Sequence, residues 1–404
     1  MKLHCKRLVD HEDRSIFLES DENGREIYHY RFTDSLCVGE NLLYPNVRIY
    51  SKSDESLCNP LEERVMSLQS LNSQVELEFS SEVERTFDEP VFFFIYNTDN
   101  YFHFIYDSVP HIYSYLHLKR SNPELKLLMS FPNSDKSDHY KFVKDTLGLL
   151  GIENDDIVVL QAKTLYRKIY VSSSYAHGLD SNLPPRSEVY EILRSIPSSP
   201  VADLPRKFYV SRRSWVHGDY SNIGTDYTSR RKLLNEDDLV DSLKKLGFKE
   251  VFTENFSMND KIELFKNAEH IVGAIGGGMA NCLFSNFEAK TSVIVSPTFL
   301  DVNLRFSHCF KTRDVAYLKN TRHFDDRNLK RYMRVMAHDG KVGEIIDVDD
   351  DHVTIAFADS SVAGWNNSMK YQNLTYKRDN VVGLDSGLNS EWVCDIDEVV
   401  RRIE

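Results

Sequence analysis

Close-set cysteines are missing from this chain. Its six cysteines (Cys5, Cys37, Cys58, Cys282, Cys309, Cys394) are scattered over 404 residues, with no CxxC pair. That spacing speaks against a structural zinc site or a disulfide framework and fits a reducing, intracellular setting. The sequons at Asn255, Asn366 and Asn373 then carry no weight. Long apolar runs are missing too. The N-terminal MKLHCKRLVDHEDRSIFLES has no apolar core of a signal peptide or anchor, and no other window approaches the length of a membrane span. Positive charge is in deficit: 49 Lys and Arg face 62 Asp and Glu, a net charge of −13. A general nucleic-acid binder needs a basic footprint, so the balance disfavours that class. Two nucleotide fingerprints are also absent. No GxxxxGK[ST] loop occurs, which removes the usual ATPase reading, and GxGxxG is not matched. Repeats and low-complexity tracts are not evident.

The ordered part of the pattern begins near Pro90. Residues 1–85 are irregular, with short β-like pieces such as REIYHYRF and QVELEF. EPVFFFIY reads as a buried strand, FHFIYDSVPHIYSYLHLKR has helical spacing, ELKLLMSF is a strand and HYKFVKDTLGLLG a helix stopped by glycine. DDIVVLQ and RKIYVSSS are further strands. A second series follows over residues 207–297, where RKFYVSRR, KEVFTE, HIVGAIG and TSVIVSP alternate with two helices. Asn235 is placed to cap the first helix, with Asp238 as its capping-box partner, and Ser257 to cap the second. Leu239, Leu243 and Leu246 form the buried stripe, and Gly247 supplies the left-handed stop. Strand–helix alternation predicts parallel sheets with helical crossovers. The expected fold is α/β with two Rossmann-like units: residues 1–195, then 196–330. A small SH3-like β module over 331–388, including Trp365, and an amphipathic helix over 389–404 complete the chain.

AEHIVGAIGGGMANCLFSN runs from a buried strand through Gly276, Gly277 and Gly278 toward a helix. Such a turn aims backbone N–H groups and a helix dipole at the carboxyl edge of a parallel sheet, which suits phosphate; a tight strand–helix connection is the plain alternative. Arg212 and Arg213 end one strand, and Arg230 and Arg231 precede a helix. Guanidinium forks bind diphosphate oxygens bidentately and keep their charge, although any single arginine is more often ordinary surface charge. Together with the glycine run, the two pairs point to a nucleotide ligand.

The ordered set YVSRR … RRKLLNEDDLVDSLKKLGF … FSMNDKIELFKNAEHIVGAIGGGMANCLF … VIVSP resembles glycosyltransferase family 61, which includes xylosyl- and N-acetylglucosaminyltransferases. The family's Arg–Asn–Glu block matches Arg230 or Arg231, Asn235 and Glu236. Its glycine loop matches Gly276 to Gly278, Asn281 and Phe284. Its Asn-x-x-His-x-x-x-Asp element matches Asn100, His103 and Asp107 in NTDNYFHFIYDSVP. Where the family often has His, this chain has Ile275. The resemblance covers about residues 90–300. It implies a GT-B fold, two Rossmann-like domains facing across a cleft. It also implies inverting transfer from a nucleotide sugar, UDP-linked by family expectation, to a hydroxyl of a glycan or polysaccharide. No cofactor or divalent metal is expected, since arginines would carry the diphosphate charge. The expected location is cytoplasmic, or peripheral to a membrane that carries the acceptor.

His103 and Asp107 are spaced i, i+4 and share a helical face. Histidine as a residue type titrates near neutrality and suits a general base, with Asp107 orienting it or serving as the base itself. Asn100 and Tyr101 are acceptor-side candidates. A rival reading makes His103, Asp107 and His111 a metal site, but Pro110 interrupts the geometry. A non-catalytic glycan- or nucleotide-binding protein is the alternative function. A nicotinamide-dependent oxidoreductase is disfavoured by the glycine spacing and by the lack of a ribose-binding acid.

Overall fold

In a computed structural model of the chain, residues 15–20, 26–38, 47–51, 56–60, 64–67, 83–131, 138–176, 184–213, 232–297, 304–312, 314–319, 321–323, 329, 331, 333–358, 371–383 and 392–404 are described. Arg230, Arg231, the QVELEF piece and Trp365 lie outside them.

The aromatic run after Pro90 forms the strand Val91–Phe93, all three residues of which are buried. It pairs in parallel with Lys126–Met129 on one side and Thr164–Ser172 on the other, and Lys126–Met129 pairs with Ile157–Val159. The expectation of a purely parallel first sheet needs correction. The 13-residue strand Glu26–Val38 adds antiparallel to Thr164–Ser172, and Arg48–Ser51, Ser56–Asn59 and Arg64–Ser67 continue as an antiparallel meander. Short connections between successive strands permit only that sense of pairing, whereas parallel pairing needs a long crossover.

The second sheet is parallel throughout, in the order Lys249–Val251, Lys207–Val210, His270–Ala274, Lys290–Ile294, Asp314–Leu318. Its crossover helices are Glu236–Lys245, with Leu239 and Leu243 buried, and Met258–Lys266, whose cap Ser257 accepts from the Asp260 N–H. Gly247 takes φ +84, the left-handed stop read from the sequence. The chain leaves Lys207–Val210 toward one neighbour and returns to the other side with His270–Ala274. The order therefore reverses between these two strands, where ligands bind in open α/β sheets.

The two sheets share one hydrophobic core. Phe92, Phe104 and Phe142 from the first unit belong to the same cluster as Phe208, Ile262 and Val293 from the second. The strands between Arg334 and Gly383 form a separate five-stranded antiparallel sheet around Val335, Ile345, Val353 and Ile355. The helix Ile396–Ile403 does not stand alone. Val399 and Ile403 pack with Leu239 and Leu243, and the strand Trp392–Cys394 pairs with Thr321–His323. No helix of the described residues is long and apolar enough to cross a membrane.

Candidate active site

The element that carries His103 is a helix of mixed pitch. Tyr101–His103 is α-helical, Phe104–Ser108 is a π-turn, and Val109–Lys119 resumes the α-helix. Pro110 lacks an N–H, and its ring clashes with the carbonyl one α-turn earlier, so the preceding turn widens and the Val109 N–H reaches Phe104 O. Asn100 starts the helix, its side chain accepting the His103 N–H at 3.2 Å. His103 Nδ1 lies 2.6 Å from Asp107 Oδ2, and Arg305 Nη1 donates to the other carboxylate oxygen at 3.2 Å. Arg305 comes from the 3₁₀ helix Leu304–Cys309, and no sequence motif had flagged it. Its guanidinium also lies against the rings of Phe102 and Tyr106, and Tyr106 reaches His308 Nδ1 at 3.0 Å. The imidazole is partly exposed, at 21%, whereas Asp107 and Arg305 are at 12% and 11%. Nδ1 faces the carboxylate, and no described side chain bonds to Nε2.

His111 stands apart from this group. It stacks on Tyr96, ring centroids 4.1 Å apart, and its Nδ1 lies 2.7 Å from Ser172 Oγ. Among the described residues no group of three His, Cys, Asp or Glu side chains is placed to hold a metal ion.

The glycine run sits at the reversal point of the second sheet, and its three glycines differ in what surrounds them. A Cβ on Gly276 would fall 1.8 Å from Arg212 Nη1, and one on Gly278 would meet Val210 and Thr253 at 2.9 and 3.0 Å. At Gly277 a Cβ meets nothing within 4 Å. The missing side chain of Gly276 is therefore space for a guanidinium, which donates to Ile275 O at 3.3 Å. Gly277–Phe284 forms a 3₁₀ helix, in which Asn281 Nδ2 donates to Gly278 O at 2.8 Å.

Behind Arg212 lies a buried carboxylate. Glu236 Oε1 accepts from the Arg212 backbone N–H at 2.8 Å and from the hydroxyls of Tyr209 and Ser211, each at 3.0 Å. Burial raises the Glu236 carboxyl above its ordinary value, opposed by those three donors and by the Arg212 charge. Burial also lowers the Arg212 guanidinium, against the pull of Glu236, Tyr209 and Glu254.

Two sequence expectations require revision. Arg213 does not face the glycine loop. Its guanidinium is held bidentately by Glu250, Nε–Oε1 and Nη2–Oε2 both 2.7 Å, and also pairs with Asp237. Against burial, which raises it, this guanidinium holds the Glu250 carboxyl below its usual range. Asn235 occupies the cap position, but its side chain makes no capping hydrogen bond. Instead Nδ2 donates to Cys394 O at 2.7 Å and Oδ1 accepts the Cys394 N–H at 3.1 Å, fastening the C-terminal strand to the second sheet.

The two halves of the site meet at Tyr101. Its hydroxyl donates to Asn281 Oδ1 at 2.5 Å and lies 3.5 Å from Met258 Sδ. The expected acceptor-side tyrosine thus reaches the glycine loop, and the His103 helix is tied directly to it.

Residues 101–294 match the family model described as Glycosyltransferase 61. The chain carries a glycosyltransferase family 61 domain over these residues. The matched segment begins at Tyr101 and ends with the strand Lys290–Ile294, so it contains His103, Asp107, Glu236 and the whole glycine loop. Arg305 lies just outside it. No curated protein matches the chain. The match points to sugar transfer as the reaction class and to a sugar donor and an acceptor as its substrates.

Proposed function

We propose that this protein is an inverting glycosyltransferase that moves a sugar from a nucleotide sugar, UDP-linked by family expectation, to a hydroxyl of a glycan or polysaccharide. The observation that carries the reading is the Tyr101–Asn281 contact. It joins an imidazole–carboxylate pair on one sheet unit to a glycine loop and a buried arginine at the reversal point of the other. Two α/β units meeting at such a junction are what a GT-B architecture requires. His103 is the base: Nδ1–H donates to Asp107, and Nε2 takes the acceptor hydroxyl proton as that oxygen attacks the anomeric carbon. The bond from the anomeric carbon to the diphosphate oxygen breaks from the opposite face, so the configuration inverts. Negative charge then grows on the diphosphate. Arg212 and the N–H groups that open the 277–284 helix meet it, preorganised where it develops. Arg213 is left out of this set because Glu250 and Asp237 occupy its guanidinium.

The test is Gly277→Val. A Cβ there meets no atom of the described residues within 4 Å, so the fold is expected to hold while a bound phosphate is displaced. Calorimetry with UDP should show affinity lowered by at least about tenfold, roughly 1.4 kcal/mol, at an unchanged melting temperature. Equal affinity in variant and wild type would put the donor elsewhere. A second expectation concerns metal: transfer should persist in EDTA, because the diphosphate charge falls to fixed side chains. Complete loss, restored by Mn²⁺ or Mg²⁺, would overturn that part of the mechanism.

A further inference from the structure

Lys261 is a lysine buried where none is needed for packing. It lies in the first turns of the helix Met258–Lys266 and is only 2% exposed. Its ammonium makes no hydrogen bond or ion pair with any described residue; its closest partner is the face of Tyr101, with Nζ 4.5 Å from the ring centroid. A buried ammonium without hydrogen-bond partners is destabilising, and a cation–π contact offsets only part of that. The same fold position would be filled more stably by methionine.

The surroundings say what the charge faces. Tyr101 is the residue that reaches Asn281 in the glycine loop. Glu254, in the turn after the strand Lys249–Val251, acts electrostatically on both Lys261 and Arg212. The other acid near Lys261, Asp145, already pairs with Lys141 at 2.5 Å. Glu236 and Glu254 balance Arg212 and Lys261 in charge, but the Lys261 ammonium itself has no oxygen of a described residue within hydrogen-bond reach, and its helix packs against the helix Gly277–Phe284.

We infer that Lys261 binds the distal phosphate of the donor's nucleoside diphosphate, held in place over the Tyr101 ring at the junction of the two units. The inference rests on the donor site proposed above and adds to it a second cation besides Arg212. The bond made is electrostatic; when the sugar leaves, the ammonium meets the oxygen that takes up the charge, and no proton transfer is required of it. A mononucleotide lacks the group that Lys261 contacts, so the lysine discriminates diphosphate from monophosphate. Burial, partly offset by Glu254 and Asp145 and reinforced by Lys141, brings the free ammonium down to about 8. Diphosphate binding should accordingly weaken as pH rises from 7 to 9.5, since the amine that forms has no charge to offer.

The experiment compares full-length wild type with Lys261→Met, which keeps the length and apolar character of the stem. UDP and UMP are titrated by calorimetry at pH 7 and 9.5, with GDP and ADP as further diphosphates, and melting is recorded without ligand. Lys261→Met is expected to melt higher than wild type, to bind UDP at least about tenfold more weakly at pH 7, to change UMP affinity little, and to lose the pH dependence. A variant that binds UDP as tightly as wild type overturns the role of Lys261 and leaves the donor site standing. Equal losses for UMP and UDP, or a lower melting temperature, would make the lysine structural and overturn it as well. A wild type that binds none of the three diphosphates removes both the donor site and this inference.

Discussion

His103→Ala and Asp107→Asn are each expected to lower the rate of transfer by about 10²–10⁴-fold, the usual cost of removing a general base or the group that orients it. Diphosphate affinity should stay close to that of wild type, because the proposed donor site is built on Arg212 and the glycine loop, whereas His103 and Asp107 bond to each other and Asp107 to Arg305. Asp107→Asn keeps the shape of the site but offers an amide where Nδ1 needs an acceptor. The ring then loses the partner that fixes which nitrogen carries the proton. The double variant should be little worse than the worse single one, since groups that act as a unit are strongly non-additive. Arg305→Gln removes the donor to Asp107 Oδ1 and leaves the His103–Asp107 bond in place, so its loss should be smaller. The rate is read from diphosphate release, and NMR of the product should show an inverted anomeric centre. Wild-type rates in both single variants would remove His103 and Asp107 from the chemistry. Loss of UDP binding would instead place this helix in the donor site. If Asp107→Asn alone is inactive, the carboxylate is the base.

What could be read from the sequence was whatever is encoded locally. Continuous aromatic and β-branched runs fixed Val91–Phe93 and His270–Ala274 as buried strands, and the i, i+4 spacing of His103 and Asp107 placed them side by side. The π-turn between them follows from Pro110, whose effect was visible as an interruption but not as a particular geometry. Partners distant in the chain were not legible. Arg305 meets Asp107 across 198 positions, from a segment beyond the last matched strand. The only signal was a lone arginine in LRFSHCF. Arg212 and Arg213 look alike as neighbours in sequence, yet successive side chains at a strand end point to opposite sides. One faces Gly276 and the other Glu250. The glycine run was recognised as a close approach, although the group approaching Gly276 is the protein's own guanidinium. Of the N-terminal strands, Glu26–Val38 was legible only in part, as REIYHYRF, and Arg48–Ser51, Ser56–Asn59 and Arg64–Ser67 went unread because each has four residues and its pairing is set by its neighbours.

Glu236→Ala is expected to cause a large loss of stability. The carboxylate is 4% exposed and accepts three hydrogen bonds, from the Tyr209 and Ser211 hydroxyls and from the Arg212 backbone. Truncation strands those donors away from water, at about 1–3 kcal/mol for each one left unpaired. It also leaves the Arg212 charge without its nearest buried counter-charge, which is the costly way to break such a group. Glu236→Gln should be milder, because an amide oxygen can still accept in the same place. The two variants also separate charge from shape through pH. The folded carboxyl is raised above its unfolded value, so the folded state holds the proton more tightly. That contribution to stability is present in acid and is lost as pH rises through the folded pKa. Wild type should therefore lose stability above about pH 4.5 through this group, while Glu236→Gln lacks that slope. Function should follow the backbone of Arg212: once Glu236 no longer holds it, the guanidinium leaves the space kept open by Gly276, and UDP affinity falls. Chemical denaturation from pH 4 to 8, paired with UDP titration, measures both effects. Glu236→Ala unfolding at the same denaturant concentration as wild type would mean that the three donors find other partners, and that Arg212 is positioned without Glu236.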